Sequence, residues 1–161
     1  MNGDKMNYYC ESILYQIYLA LSTTKEMLQS LTDEDLTLRP TPNKYSVGEL
    51  FEHIAIICKA DLLIADGATE EEMRQLYSSC DLDNKKDIVV ALVENYNLLR
   101  NEYMNYSETD LQEKLTAYWG VTYTRYEWLL EILTHVIHHR GQLHAMLIHC
   151  ININLHVSLF E

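Results

Sequence analysis

Both prolines of this chain, Pro40 and Pro42, fall in one connector, and only 5 glycines accompany them in 161 residues. Proline ends helices and glycine marks turns, so a chain this poor in both has long stretches with nothing to stop a helix. All-β folds need frequent turns and are disfavoured. The apolar spacing agrees. Ile13, Ile17, Leu21 and Leu28 make one stripe at helical intervals, which predicts a helix from about Tyr8 to Ser30. It stops before a polar connector, residues 31–43, that holds both prolines.

The next start signal is a capping box, Ser46 followed three residues later by Glu49, with Tyr45 and Leu50 placed to form a hydrophobic staple. From there Val47, Leu50, Ile54 and Ile57 carry a helix to about Asp66, and Gly67 ends it. Thr69 with Glu72 repeats the capping pattern and predicts a short helix near residues 70–79. A third long helix spans about Lys85 to Asn105, with Ile88, Leu92, Asn95 and Leu99 in line and Val89, Val93 and Tyr96 beside them. One or two helical turns are expected between Asp110 and Leu115. Tyr118-Trp119-Gly120 reads as a loop with an aromatic anchor. The last helix runs from near Thr124 to about His149, its buried face marked by Trp128, Ile132, Val136, Leu143 and Leu147.

Four long amphipathic helices without a repeat or domain linker predict an all-α, four-helix bundle, one domain over residues 1–161. With 48% hydrophobic and 22% charged residues the composition suits a packed core, not a disordered chain. The net charge of −12 argues against nucleic acid or an anionic membrane as partner, because phosphate binding needs clustered Lys and Arg. The longest aliphatic stretch, Ile88 to Val93, is too short to span a bilayer. The first ten residues lack the apolar run of a signal peptide, so a cytoplasmic location is expected. Cys10, Cys58, Cys80 and Cys150 are widely spaced without a CxxC pair, which predicts reduced thiols and no cysteine-based zinc site.

The histidines carry the chemistry. His135, His138, His139 and His144 crowd into ten residues of the last helix. His135 and His139 are an i, i+4 pair on one face, close enough to bind one ion, and they share the apolar stripe of Ile132, Val136 and Leu143. A buried polar group without a partner costs about 1–3 kcal/mol, and a shared metal would satisfy both rings. His53 interrupts the stripe of another helix and is the candidate third ligand. Three histidines leave coordination positions open, as in catalytic rather than structural sites. The competing reading is three packed core histidines hydrogen-bonded to neighbours. His138 points about a third of a turn away. His144, His149 and His156 lack a partner at helical spacing and read as surface or packing residues.

Residues 45–54, Tyr-Ser-Val-Gly-Glu-Leu-Phe-Glu-His-Ile, resemble the W-S-x-x-E-L-x-x-H segment of the DinB-like (DinB/YfiT) family. Residues 135–143, His-Val-Ile-His-His-Arg-Gly-Gln-Leu, resemble its H-x-x-x-H-R-G-Q segment. The Leu-Thr-Asp-Glu-Asp-Leu connector and Trp119-Gly120 are also similar, so the resemblance covers nearly the whole chain. It implies a bundle with up-down-down-up connectivity, often a homodimer. It also implies a divalent ion, zinc or nickel foremost, on His53, His135 and His139, with water completing the shell. The chain departs from the family in Tyr45, where Trp is frequent, and in a tail without the usual Gly and Pro. Gln142 matches the motif and is placed to orient a ligand or a water. Arg140 reads as structural or as a charge partner. Gly141 in mid-helix costs about 1 kcal/mol relative to Ala, and a neighbouring helix in close approach would explain it.

The resemblance implies thiol-dependent S-transferases, using a low-molecular-weight thiol of the bacillithiol type, and hydrolases. The expected function is therefore metal-dependent thiol transfer to a small-molecule substrate. Metal-dependent hydrolysis, or a non-catalytic metal-stabilised binding or dimerisation module, are the alternatives. No acid in either motif is an obvious general base, and Glu49 is assigned to the helix cap, which tilts the reading towards a metal-bound thiolate. No catalytic residue is assigned.

Overall fold

A computed structural model describes residues 7–80, 82 and 84–160 of the protein. Four long helices form the bundle: α1 (Asn7–Gln29), α3 (Val47–Ala65), α5 (Lys85–Asn105) and α7 (Arg125–Ala145). Short helices α2 (Asp33–Thr37), α4 (Glu70–Ser78) and α6 (Glu108–Gln112) lie in the connections. A hairpin of β1 (Lys114–Thr116) and β2 (Thr122–Thr124) precedes α7. A π-type turn, Met146–Cys150, extends α7 to Cys150. The last helical segment therefore ends within a residue of the predicted His149.

The predicted stripes are the buried ones. Ile17, Leu28, Leu50, Ile54, Leu99, Ile132 and Val136 are fully buried in one core. Asn95, polar in the α5 stripe, donates to the Ala55 carbonyl at 2.8 Å and so fixes α5 against α3. Val93 is the exception, 47% exposed, because it looks away from the bundle axis. A second, smaller core joins Ile64, Met73 and Ala117 to Trp128.

Each long helix packs on two others: α1 on α5 and α7, α3 on the same pair. Contacts give the directions. Thr23 late in α1 meets Arg140 late in α7, so these two run parallel. His53 and Asp61 of α3 meet α7 in reversed order, so α3 is antiparallel to α7. Tyr103 at the end of α5 donates to the carbonyl of Arg125 at the start of α7, which makes α5 antiparallel to α7 as well. The connectivity is up-down-down-up, as the resemblance implied.

Local chemistry explains the helix starts. Thr32, Ser46, Thr69, Ser107 and Thr124 each head a complete capping box. Gly67, at φ 90°, turns the chain after α3. Gly48 is required by close approach, since a Cβ there would stand 3.0 Å from the Leu36 carbonyl oxygen.

Four expectations need correction. The connector at residues 31–43 contains α2, because Thr32 and Asp35 form a capping box over a single helical turn too short to show a stripe. The Tyr118-Trp119-Gly120 segment is the turn of a hairpin, and the anchor there is Trp128: its Nε1–H donates to the Leu115 carbonyl, while Trp119 is 52% exposed. Tyr45 is no staple for Leu50. Its exposed ring stacks on His53 instead, centroids 5.5 Å apart. Among the described residues no helix approaches Gly141, where a Cβ would meet nothing within 4 Å.

Candidate metal centre

The capping box at Ser46 fixes the first turn of α3. Ser46 N–H donates to the Glu49 carboxylate at 2.8 Å, and Glu49 N–H donates to Ser46 Oγ at 3.2 Å. Arg39 adds a two-pronged ion pair to the same carboxylate at 2.7 and 2.8 Å. Its hydrogen bond and that of the Ser46 backbone pull the Glu49 carboxyl down to about 2. Glu49 is thereby committed to the cap, as the sequence indicated. One turn later His53 emerges from this anchored start, on the seam between α3 and α7.

There it meets the i, i+4 pair. The ring centroid of His53 lies 4.5 Å from His139 and 5.4 Å from His135, and the latter two are 4.9 Å apart. One ligand nitrogen from each lies within 4.8 Å of the other two. An ion bonded at about 2.0–2.1 Å holds nitrogens about 3.4 Å apart, so small ring rotations would close the set. All three predicted ligands are brought together. His138 is exposed and touches the group only through His139, at 4.8 Å between ring centroids.

The partners of these rings decide which nitrogens are free. Asp61, 5% exposed on α3, accepts a hydrogen bond from His135 Nδ1 at 2.6 Å. Gln142 Oε1 accepts from His139 Nδ1 at 2.9 Å. Each Nδ1 then carries the proton, and each Nε2 keeps its lone pair. A carboxylate or amide oxygen behind a histidine is the usual outer arrangement around a metal-ligating imidazole. Gln142 stands where the motif put it. Asp61 was missed, although a lone Asp in the apolar run from Ile54 to Ala65 is a signal, since a buried acid demands a partner.

Electrostatics favour the neutral ring at His53 and His139, whereas at His135 a bound ion would have to displace a proton that Asp61 favours. Burial pushes His53 down to about 4, helped by repulsion from His139 and His135. His139 is also lowered, by burial first, with the Gln142 hydrogen bond opposing. His135 is raised: burial works against its cation, but the hydrogen bond and charge of Asp61 outweigh it. Three neutral imidazoles leave the full charge of a divalent ion available, and the residues present fit such an ion.

Acidic groups from outside the two motifs also adjoin the centre. Glu131, one turn before His135, forms a second close group with Asp61 and His135. Burial and the Asp61 charge raise its carboxyl above the ordinary range. Tyr77 on α4 looks at the same Asp61. Burial, then Asp61, Tyr118 and Tyr45, push its phenol up to about 12. Tyr45 links the centre to an open groove of about 550 Å³ that also borders Arg39, Asn43, Lys44 and Glu49. None of the cysteines joins a metal-holding group among the described residues. Cys10 and Cys58 are buried, and burial raises both thiols.

Known proteins share this architecture. The family model described as the DinB superfamily matches residues 16–143. A solved structure from Exiguobacterium sibiricum, provisionally placed in the DinB family, is 30% identical; the match covers 94% of this chain and 97% of that one, with TM-score 0.82. A DinB-like protein of Bacillus subtilis shares the fold at TM-score 0.68 and 16% identity, over 91% of this chain and 95% of its own. One from Bacillus cereus does so at TM-score 0.65 and 22% identity, over 85% and 89%. No curated protein matches the chain significantly in sequence.

Proposed function

The chain belongs to the DinB superfamily, and from that premise we propose that it is a cytoplasmic divalent-metal enzyme that transfers a low-molecular-weight thiol to a small electrophilic substrate. The carrying observation is the histidine set with its outer partners: His53, His135 and His139 gathered on one seam, two of them held with Nε2 free by Asp61 and Gln142. These three residues would hold the ion, zinc or nickel. When bound, it supplies Lewis acidity that favours the deprotonated form of a thiol or water at its open positions.

The chain's own residues do the rest. Asp61 fixes the His135 ring and balances its charge; Gln142 fixes His139. Tyr45 covers one face of His53. Glu131 offers a carboxylate to take the proton released as the nucleophile forms. Among the described residues no cysteine joins the set, which fits a sulfur supplied by an added thiol. The groove beyond Tyr45 carries Lys44 and Arg39 against Glu49, which suits a thiol with a carboxylate.

A second reading, hydrolysis, is favoured by Glu131, because a half-buried carboxyl next to the centre can equally serve a water nucleophile. One experiment separates the two. The protein, loaded with zinc or nickel, is incubated with an electrophilic chromogenic compound and a panel of low-molecular-weight thiols, bacillithiol included. Thiol transfer predicts adduct formation that needs both metal and thiol and is lost in His53→Ala, His135→Ala and His139→Ala. Metal-dependent cleavage of ester or amide substrates without thiol would support hydrolysis instead. Elemental analysis of the same four proteins reads the site independently: close to one ion per chain in the wild type, lost in each variant.

We also propose that the protein is a homodimer. The α1–α5 seam exposes Tyr15, Tyr18 and Val93, and Tyr18 and Val93 border a groove there with Leu21, Leu92, Tyr96 and Lys25.

A further inference from the structure

A second chemistry lies on the seam between α1 and α7, away from the histidines. Arg140 is 4% exposed. Its Nη1 donates to the Leu159 carbonyl at 2.7 Å and to Thr23 Oγ1 at 3.3 Å, both neutral. Its Nε–H has no acceptor among the described residues, and neither has that of Arg125, so what sets Arg140 apart is the missing counter-charge. The Phe160 ring lies 5.4 Å from the guanidinium carbon. Among the described residues no carboxylate pairs with it. The other buried arginine, Arg125, shows what such a cation normally has: ion pairs to Asp66 and Glu113. A buried charge without a counter-charge is strongly unfavourable.

Space for the missing partner is present. A cavity of about 120 Å³ opens beside Arg140, walled by Gln16, Leu19, Ile137 and Phe160. We propose that this cavity is a binding site for a small carboxylate, its head on Arg140 and a short aliphatic tail against Leu19, Ile137 and Phe160. One guanidinium neutralises one negative charge, and the net charge of −12 disfavours a dianion such as phosphate. The Leu19, Ile137 and Phe160 side of the cavity favours a carbon chain over a bare inorganic anion. The carboxylate has two sources: a free small acid, or the chain's own Glu161, which follows Phe160 in sequence and is outside the described residues.

Thermal unfolding of the full-length protein tests the site, with sodium butyrate as probe and butyramide and sodium chloride as controls. Butyrate at about 100 times its dissociation constant is expected to raise Tm by on the order of 5 °C. Butyramide and matched salt should leave it unchanged, and Arg140→Met should abolish the response. A response equal in wild type and Glu161→Gln identifies a free acid. A silent wild type with a responding Glu161→Gln identifies the chain's own carboxylate, and also supports the site. Should Arg140→Met not fold, the Arg140 Nε–H resonance replaces it and must shift as butyrate is added to whichever protein responds. No response in either wild type or Glu161→Gln, or an equal response to butyramide, overturns the proposal.

Discussion

At the scale of single residues, the candidate metal centre depends on Asp61 for the orientation of His135. Asp61 holds the His135 proton on Nδ1 at 2.6 Å and is itself buried. Asp61→Asn keeps the shape but weakens that bond, so metal affinity should fall about 10–100-fold, read by competition with a chelating dye. His53 makes a pH prediction for the metal-free protein. The unfolded chain binds this proton near 6.5, the folded one only near 4. The native state therefore binds fewer protons between these values, and stability falls as pH drops from about 6.5 to about 4, then levels. His135, with its raised value, acts in the opposite sense, giving stability below 6.5 that is lost as pH rises through its folded value. Urea unfolding across this range in chelator should show a flatter acid limb in His53→Phe than in wild type. Gly141 offers a clean gain: with room for a Cβ on an exposed helix face, Gly141→Ala should add about 1 kcal/mol by urea unfolding. The histidines were legible because i, i+4 spacing is a local rule. The partner of Asp61 was not, because its bond crosses two helices whose relative register no local spacing encodes.

At the scale of elements, what could be read depended on how much local signal each carried. α5 falls on the predicted Lys85–Asn105, and Ser46 and Thr69 head α3 and α4, because stripes and capping boxes are written in consecutive residues. The hairpin escaped because two three-residue strands, Lys-Leu-Thr and Thr-Tyr-Thr, are too short for alternation to show. Its place is set from outside: the Arg125 N–H donates to the Glu113 carbonyl at 2.9 Å, and Trp128 holds the Leu115 carbonyl. The start of α3 is the element on which the site stands. Ser46→Ala removes one half of its capping box and should cost about 1 kcal/mol of stability by chemical denaturation. The same change should weaken metal binding only slightly, because Arg39 still holds Glu49 and α7 still presents two of the three ligands.

At the scale of the whole molecule, the order of helices around the bundle separates two surfaces. The seam of α3 with α7 carries the histidines, and the seam of α1 with α5, on the opposite side, carries the exposed Tyr15, Tyr18 and Val93. This separation follows from the up-down-down-up path, which stripes alone do not determine: they say which face of each helix is inward, not which helix it meets. Association through the tyrosine-bearing seam would leave both centres open to solvent. Each chain carries a charge of −12, so two copies repel, and apolar burial has to overcome that repulsion. Dimerisation should therefore strengthen with salt, since screening at about 0.15 M already reaches lengths of about 8 Å, whereas an interface built on ion pairs would weaken. Tyr18→Asp with Val93→Asp should give monomers in sedimentation equilibrium while the ion content per chain stays that of the wild type. A variant that stays dimeric would place the contact on another face. One that loses its ion together with its partner would mean that the two seams are coupled rather than independent.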